Sequence, residues 1–156
     1  MAALAALSAL PVHAADLHQL WDRQCGGCHG HASAFARERL AVVGGQLRDR
    51  AGNRDVAAFL VAHGGGYSAA DIAAIVEMLK VQVATPDLFR QRCGECHQTA
   101  AQLVREQVVS RDGVLHGRYS GRPIAAFLTG HGGLTPEENA LMISVLQRIE
   151  REVHRP

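Results

Sequence analysis

Aromatic side chains are scarce: one Trp, two Tyr and four Phe among 156 residues, 4% of the chain. A core built on ring packing is therefore excluded. Charge of one sign is lacking too, with 16 Lys+Arg against 15 Asp+Glu and a formal net charge of +1. That balance carries no electrostatic footprint for nucleic acid or anionic lipid. Beyond residue 15 no run is apolar enough to span a membrane as a helix. Cysteine is confined to two short motifs, so no pair is left for a separate disulfide. No alternating apolar/polar stretch stands out, and strands are not expected. No nucleophile or general-base cluster stands apart from the two motifs. No catalytic residue is assigned for an organic substrate.

What is present begins with an Ala/Leu-rich segment, Met1 to Ala14. It is too short to cross a bilayer. It runs into Val12-His13-Ala14-Ala15, a small-residue cleavage pattern. Residues 1–15 read as a secretory signal peptide, which directs the mature chain to an exported compartment. The alternative is an apolar helix that stays attached as an anchor. The remainder, about 140 residues, is enough for one domain or two very small ones. Units of about 65 residues bury little surface and are marginal alone.

Cys25-Gly26-Gly27-Cys28-His29 returns 68 residues later as Cys93-Gly94-Glu95-Cys96-His97. C-x-x-C-H is the attachment pattern of c-type haem. Cys25, Cys28, Cys93 and Cys96 would hold two haems covalently, and His29 and His97 would ligate the irons. Two buried haems would also supply the apolar core that the composition lacks. Four exported thiols could instead form two disulfides, and paired C-x-x-C is also zinc spacing. Both alternatives leave the two adjacent histidines unexplained.

The 68-residue offset extends beyond the motifs. Ala57-Ala58-Phe59-Leu60 matches Ala125-Ala126-Phe127-Leu128, and His63-Gly64-Gly65 matches His131-Gly132-Gly133. From Leu20 to Ile75, 20 positions are identical to those 68 later. Self-similarity of this kind sets the architecture. It predicts two tandem units, 16–83 and 84–150, with a tail at 151–156. Each unit reads as helical, so the fold class expected is all-α. Asp16 caps a helix leading to Cys25, and Thr85-Pro86-Asp87 opens its counterpart, with Thr85 as the N-cap. Val56 to Ala62 forms a short helix stopped by Gly64-Gly65, and Pro123 starts the equivalent one. Ser68-Ala69-Ala70-Asp71 and Thr135-Pro136-Glu137-Glu138 cap the closing helices. Residues 40–53 and 108–121 read as loops.

His63 and His131 lie 34 residues beyond His29 and His97, each after Phe-Leu and before Gly-Gly. They are the candidate distal iron ligands; a His at a helix end also interacts favourably with the helix dipole. A Met ligand would raise the haem potential, but Met78 and Met142 are unrepeated and sit on apolar helix faces, so they read as core fillers. His18, His31, His116 and His154 are unrepeated and read as surface or local structural residues. Arg50, Arg54, Arg118 and Arg122 recur as pairs between motif and distal histidine. They are candidates for haem propionates, since Arg suits carboxylates; a solvated loop or pairing with Glu38 and Glu106 is the other reading.

Residues 16–150 resemble the class I cytochrome c family in diheme form. The matching features are the two C-x-x-C-H motifs on leading helices, the closing helices, and a ligand position just before each closing helix. The resemblance implies helical haem pockets, haem attachment in the periplasm and one-electron transfer between redox partner proteins. The family's usual distal residue is Met, whereas His63 and His131 stand here, which implies bis-histidine haems of low potential. The interval to the distal ligand is also short for the family. A small haem peroxidase or reductase, or a cytochrome subunit of a larger complex, is the alternative.

Overall fold

The computed structural model describes residues 16–63 and 66–155. The signal-peptide segment, His13 and the Gly64-Gly65 helix stop lie outside them. The first half runs α1 (Leu17–Gln24), α2 (Gly26–His29), α3 (Ala32–Arg39), β1 (Leu40–Val43), β2 (Gln46–Asp49), α4 (Val56–Ala62) and α5 (Ala69–Ala84). The second runs α6 (Leu88–Cys93), α7 (Ala100–Gln107), β3 (Val108–Arg111), β4 (Val114–Gly117), α8 (Ile124–Leu128) and α9 (Pro136–Val153).

The all-α expectation is wrong. Two small antiparallel sheets are present, β1 with β2 and β3 with β4. Both occupy segments read as loops. Their turns are Gly44-Gly45 and Asp112-Gly113, all four residues at positive φ (57°, 78°, 49° and 78°). Two consecutive left-handed residues match the twist of a two-residue hairpin. Each strand buries a single side chain: Leu40, Leu47, Val108 and Leu115. Four-residue strands of this kind show no alternation long enough to recognise.

Each half has its own apolar cluster. In the first, Leu17 and Trp21 of α1 and Ala36 of α3 meet Leu40, Leu47 and the Ile75, Met78 and Leu79 face of α5. In the second, Leu88, Phe89 and Val104 meet Val108, Leu115 and the Met142, Val145, Leu146 and Ile149 face of α9. Helix α9 continues to Val153, itself buried, so residues 151–153 belong to the closing helix and not to a tail.

The 68-residue register predicted through Ile75 does not extend into the closing helices. Their N-caps are Ser68 and Thr135, which are 67 apart. Buried positions follow the same spacing: Ile75 with Met142, Met78 with Val145, Leu79 with Leu146, Gln82 with Ile149. The cap decides this register, because its hydroxyl must reach the N–H three residues on. Ser68 Oγ accepts from Asp71 N at 3.1 Å, and Thr135 Oγ1 from Glu138 N at 3.2 Å. The identity of Ile75 and Ile143 is therefore out of register.

The second leading helix also starts later than predicted. Thr85 ends α5 and Asp87 is the N-cap of α6. Arg37 draws both into the contact between the halves. It donates to Thr85 O at 2.9 and 3.2 Å and to Asp87 Oδ2 at 3.1 Å. In return Arg105 Nε reaches Asp16 Oδ2, on the N-cap of α1, at 2.7 Å. His18 of α1 bonds Glu152 of α9 at 2.8 Å.

Candidate functional site

Each C-x-x-C-H segment follows a leading helix that is pinned by one buried aromatic. Trp21 is buried against the first core, and its Nε1 donates to Gly30 O at 2.8 Å, which closes the chain around Cys25 to His29. Phe89 takes the equivalent place. Their ring centres lie 6.3 Å from His29 and 6.4 Å from His97. Phe35 adds a second wall to His29 at 4.7 Å.

The histidines sought by spacing do meet. The His29 and His63 ring centres are 6.1 Å apart, and those of His97 and His131 are 6.3 Å apart. The interplanar angles are 62° and 59°. Each outer histidine stacks on the Phe four residues before it: Phe59–His63 and Phe127–His131, both at 4.5 Å. A guanidinium also lies over each phenyl ring, Arg54 at 5.0 Å and Arg122 at 5.9 Å. Such a cation–π contact contributes about 0.5–1 kcal/mol at exposed sites.

These stacks give Arg54 and Arg122 a role that spacing alone did not reveal. The signal was available, since both Arg-x-x-x-x-Phe-x-x-x-His runs are visible in the sequence. Arg54 is further held by Asp49, Nε to Oδ2 at 2.7 Å. The Gly52 N–H and the Arg54 guanidinium keep the Asp49 carboxyl below its ordinary range. Arg118 Nη2 donates to Val108 O at 2.9 Å and Arg105 O at 3.2 Å, which ties α7 to the hairpin. Arg50 is exposed, with its backbone N–H on Arg39 O at 2.8 Å.

In the second half a cavity of about 570 Å³ opens between the paired histidines and the core. Its lining includes Cys93, Cys96, His97 and His131, with Arg118 and Arg122 beside them. Leu128, Met142 and Leu146 form part of its apolar wall. Met78 and Met142 are both almost wholly buried, as expected of core residues, although Met142 also faces this cavity.

None of the four cysteines is disulfide-bonded. Among the described residues no three His, Cys, Asp or Glu side chains gather into a metal cage, so the four thiols do not converge on one zinc centre. Burial pushes the Cys25 and Cys93 thiols up from their ordinary value. The Tyr67 hydroxyl beside Cys25 partly offsets that rise, yet it has no hydrogen bond of ordinary geometry.

The segments bearing the outer histidines are built differently. Asp55 caps α4, its carboxylate accepting from Ala58 N at 2.9 Å, and His63 N closes on Phe59 O at 3.1 Å. A side-chain cap of this kind stabilises a helix by about 1 kcal/mol. Pro123 precedes α8 without any side-chain cap, and α8 has five residues where α4 has seven. His131 N reaches only Leu128 O, at 3.3 Å, after the turn Thr129-Gly130.

No protein-family model, curated protein or solved structure matches the chain. No helix among the described residues is long and apolar enough to cross a membrane.

Proposed function

We propose that the protein is a periplasmic electron carrier with two covalently attached c-type haems, each held between two histidines. The observation that carries this reading is the pairing of each motif histidine with a second imidazole at 6.1 and 6.3 Å. A metal–imidazole nitrogen bond is about 2.0–2.1 Å. With about 1.2 Å more from nitrogen to ring centre on each side, two imidazoles that share one metal would have ring centres about 6.4–6.6 Å apart. Both pairs lie slightly inside that value, and among the described residues no group of three His, Cys, Asp or Glu side chains gathers there to hold a metal in another way.

The residues present fit the group. The cavity volume lies within the range of cofactor sites, which is about 300–1,000 Å³. It combines an apolar wall with two thiols and two imidazoles. Beside Cys25, the Tyr67 hydroxyl is a buried donor without a hydrogen-bond partner. Cys25 and Cys28, with Cys93 and Cys96, would tether the haems. His29 and His97 would ligate from the motif side, and His63 and His131 from the other. Arg50, Arg54, Arg118 and Arg122 remain the proposed propionate partners, with Arg54 and Arg122 also orienting the distal rings through Phe59 and Phe127.

A bound haem iron supplies one-electron exchange. The protein's own part is to fix two imidazoles per site, to exclude water with Leu128, Met142 and Leu146, and to hold the motif rigid through Trp21 and Phe89. Histidine in place of a distal Met favours low potential. Donor and acceptor would be redox proteins, and no separate organic substrate is proposed.

Export of the full chain in a host that attaches c-type haem tests the reading. Two haems per chain are expected, low-spin when oxidised, with no sulfur–iron charge-transfer band in the far red. His63→Ala and His131→Ala should each convert one haem to high spin. A far-red sulfur band, or variants with unchanged spectra and potentials, would overturn the bis-histidine assignment.

A further inference from the structure

The two histidine pairs have matching spacing but unequal supports. His63 follows a seven-residue helix capped by the Asp55 carboxylate. His131 follows a five-residue helix with no side-chain cap. Gly130 stands just before His131, where Ala62 precedes His63. Glycine at a helix end holds the chain less firmly than alanine. Thr129 Oγ1 bonds back to Ala125 O at 3.3 Å, a pattern that weakens a helix slightly. The stacks differ in the same sense. Asp49 anchors Arg54 over Phe59. The position of Asp49 is Gly117 in the second half. Among the described residues the Arg122 guanidinium has no hydrogen-bond or ion-pair partner, and it sits 0.9 Å farther from its ring (5.9 against 5.0 Å). One contact opposes the trend: Asn139 Nδ2 donates to Ala125 O at 3.1 Å. It ties the start of α8 to α9, a turn and a half away from His131.

We propose that His131, and not His63, is the exchangeable ligand, so that the second-half site admits a small anion while the first stays closed. The inference rests on the haem reading above. Local opening draws on the least stable segments of a fold, and α8 with its following turn is the weaker of the two. The cavity beside His131 gives the incoming ligand space, and Arg122 lines it as a cation with no carboxylate partner among the described residues. In the exchange the bond from iron to the His131 imidazole breaks and one from iron to the anion forms. No electron is transferred, and the released imidazole is left free to bind a proton from solvent.

Cyanide is the probe, added to the oxidised two-haem protein. One equivalent should bind in a phase that His131→Ala makes immediate, whereas His63→Ala should keep that phase and add a second, immediate one at the first haem. Arg122→Gln should weaken that binding. Pro123→Asp with Gly130→Ala copies the first-half support, and a Cβ at Gly130 meets nothing within 4 Å. This pair should slow cyanide binding about thirtyfold, the ratio that a cap and a Gly-to-Ala gain together give. Hydrogen exchange reads the same asymmetry without any added ligand: the amides of 127–131 should exchange faster than those of 59–63. Equal exchange in the two segments, equal cyanide binding at both haems, or first binding at the His63 site would overturn the inference while leaving the two haems in place. A chain that takes up no haem would overturn the haem reading and this exchange with it.

Discussion

Gln82 offers a direct test of how the two halves are packed. It is 5% exposed, and its Oε1 has no hydrogen-bond partner. It lies on α5 and lines a cleft of about 130 Å³ between the halves, beside Trp21, Arg37 and Val145. At the equivalent position of α9 stands Ile149, 4% exposed. An unsatisfied buried carbonyl costs about 1–3 kcal/mol. Replacing the amide with methyl groups adds about 0.8 kcal/mol per buried carbon. The change from a straight to a branched side chain takes back up to about 1.5 kcal/mol. Gln82→Leu is therefore expected to stabilise the protein by about 1–2 kcal/mol, and the midpoint of thermal unfolding should rise by about 3–4 °C per kcal/mol. Circular dichroism on the purified protein, with urea titration as a second measure, reads the change. Ile149→Gln serves as the reverse experiment and should lose stability. If Gln82→Leu were less stable than the parent by 1 kcal/mol or more, the amide would have to be satisfied by water in the cleft. The reasoning from an orphaned carbonyl would then be refuted.

Two further predictions concern the same contact. Arg37→Ala removes four hydrogen bonds, to Ser33 O, twice to Thr85 O, and to Asp87, and should cost about 2–3 kcal/mol. Arg105→Ala removes one ion pair, to Asp16, and should cost about 1 kcal/mol; equal losses in urea unfolding would contradict the hydrogen-bond reading. Burial alone would raise the Glu152 carboxyl, but His18 and Arg148 outweigh it and hold it below the ordinary value of 4.5. A carboxyl depressed in the folded state adds stability that is present above its unfolded value and is lost as pH falls through the folded one. Stability should therefore drop on acidification below about pH 4.5, and Glu152→Gln should flatten that part of the profile.

The chemistry-bearing residues were legible because their spacing is rigid. Two thiols three residues apart with an adjacent imidazole form a local pattern, and the Phe-Leu-x-x-His runs place the second imidazole at a fixed distance from it. The hairpins were not read, although Gly44-Gly45 and Asp112-Gly113 are hairpin turn signals, with Val43 before the first and Val114 after the second. Strands that bury one side chain each leave too little alternation for the period to register. The change of register between Gly66 and Leu134 was hidden for another reason. Identity at Ile75 and Ile143 suggested that the 68-residue offset continued, but a helix is phased by its cap. Ser68 and Thr135 impose 67, and the buried faces follow them.

That one-residue difference bears on the sites themselves. It falls between each outer histidine and its closing helix, so the helix phase is independent of the histidine position. With the offset at 67, Met142 corresponds to Ile75 and Met78 to Val145, and neither methionine gains an equivalent. Only Met142 also faces a described cavity, next to His97 and His131. Met142 thus shares that lining with His131, whereas Met78 packs into the first core. In the proposed two-haem protein, Met142 is a thioether on that lining that could take the place vacated by His131. A far-red sulfur band that emerges only in His131→Ala, and is abolished by adding Met142→Leu, would identify that substitution. Its absence would leave the vacated position to solvent or an added anion.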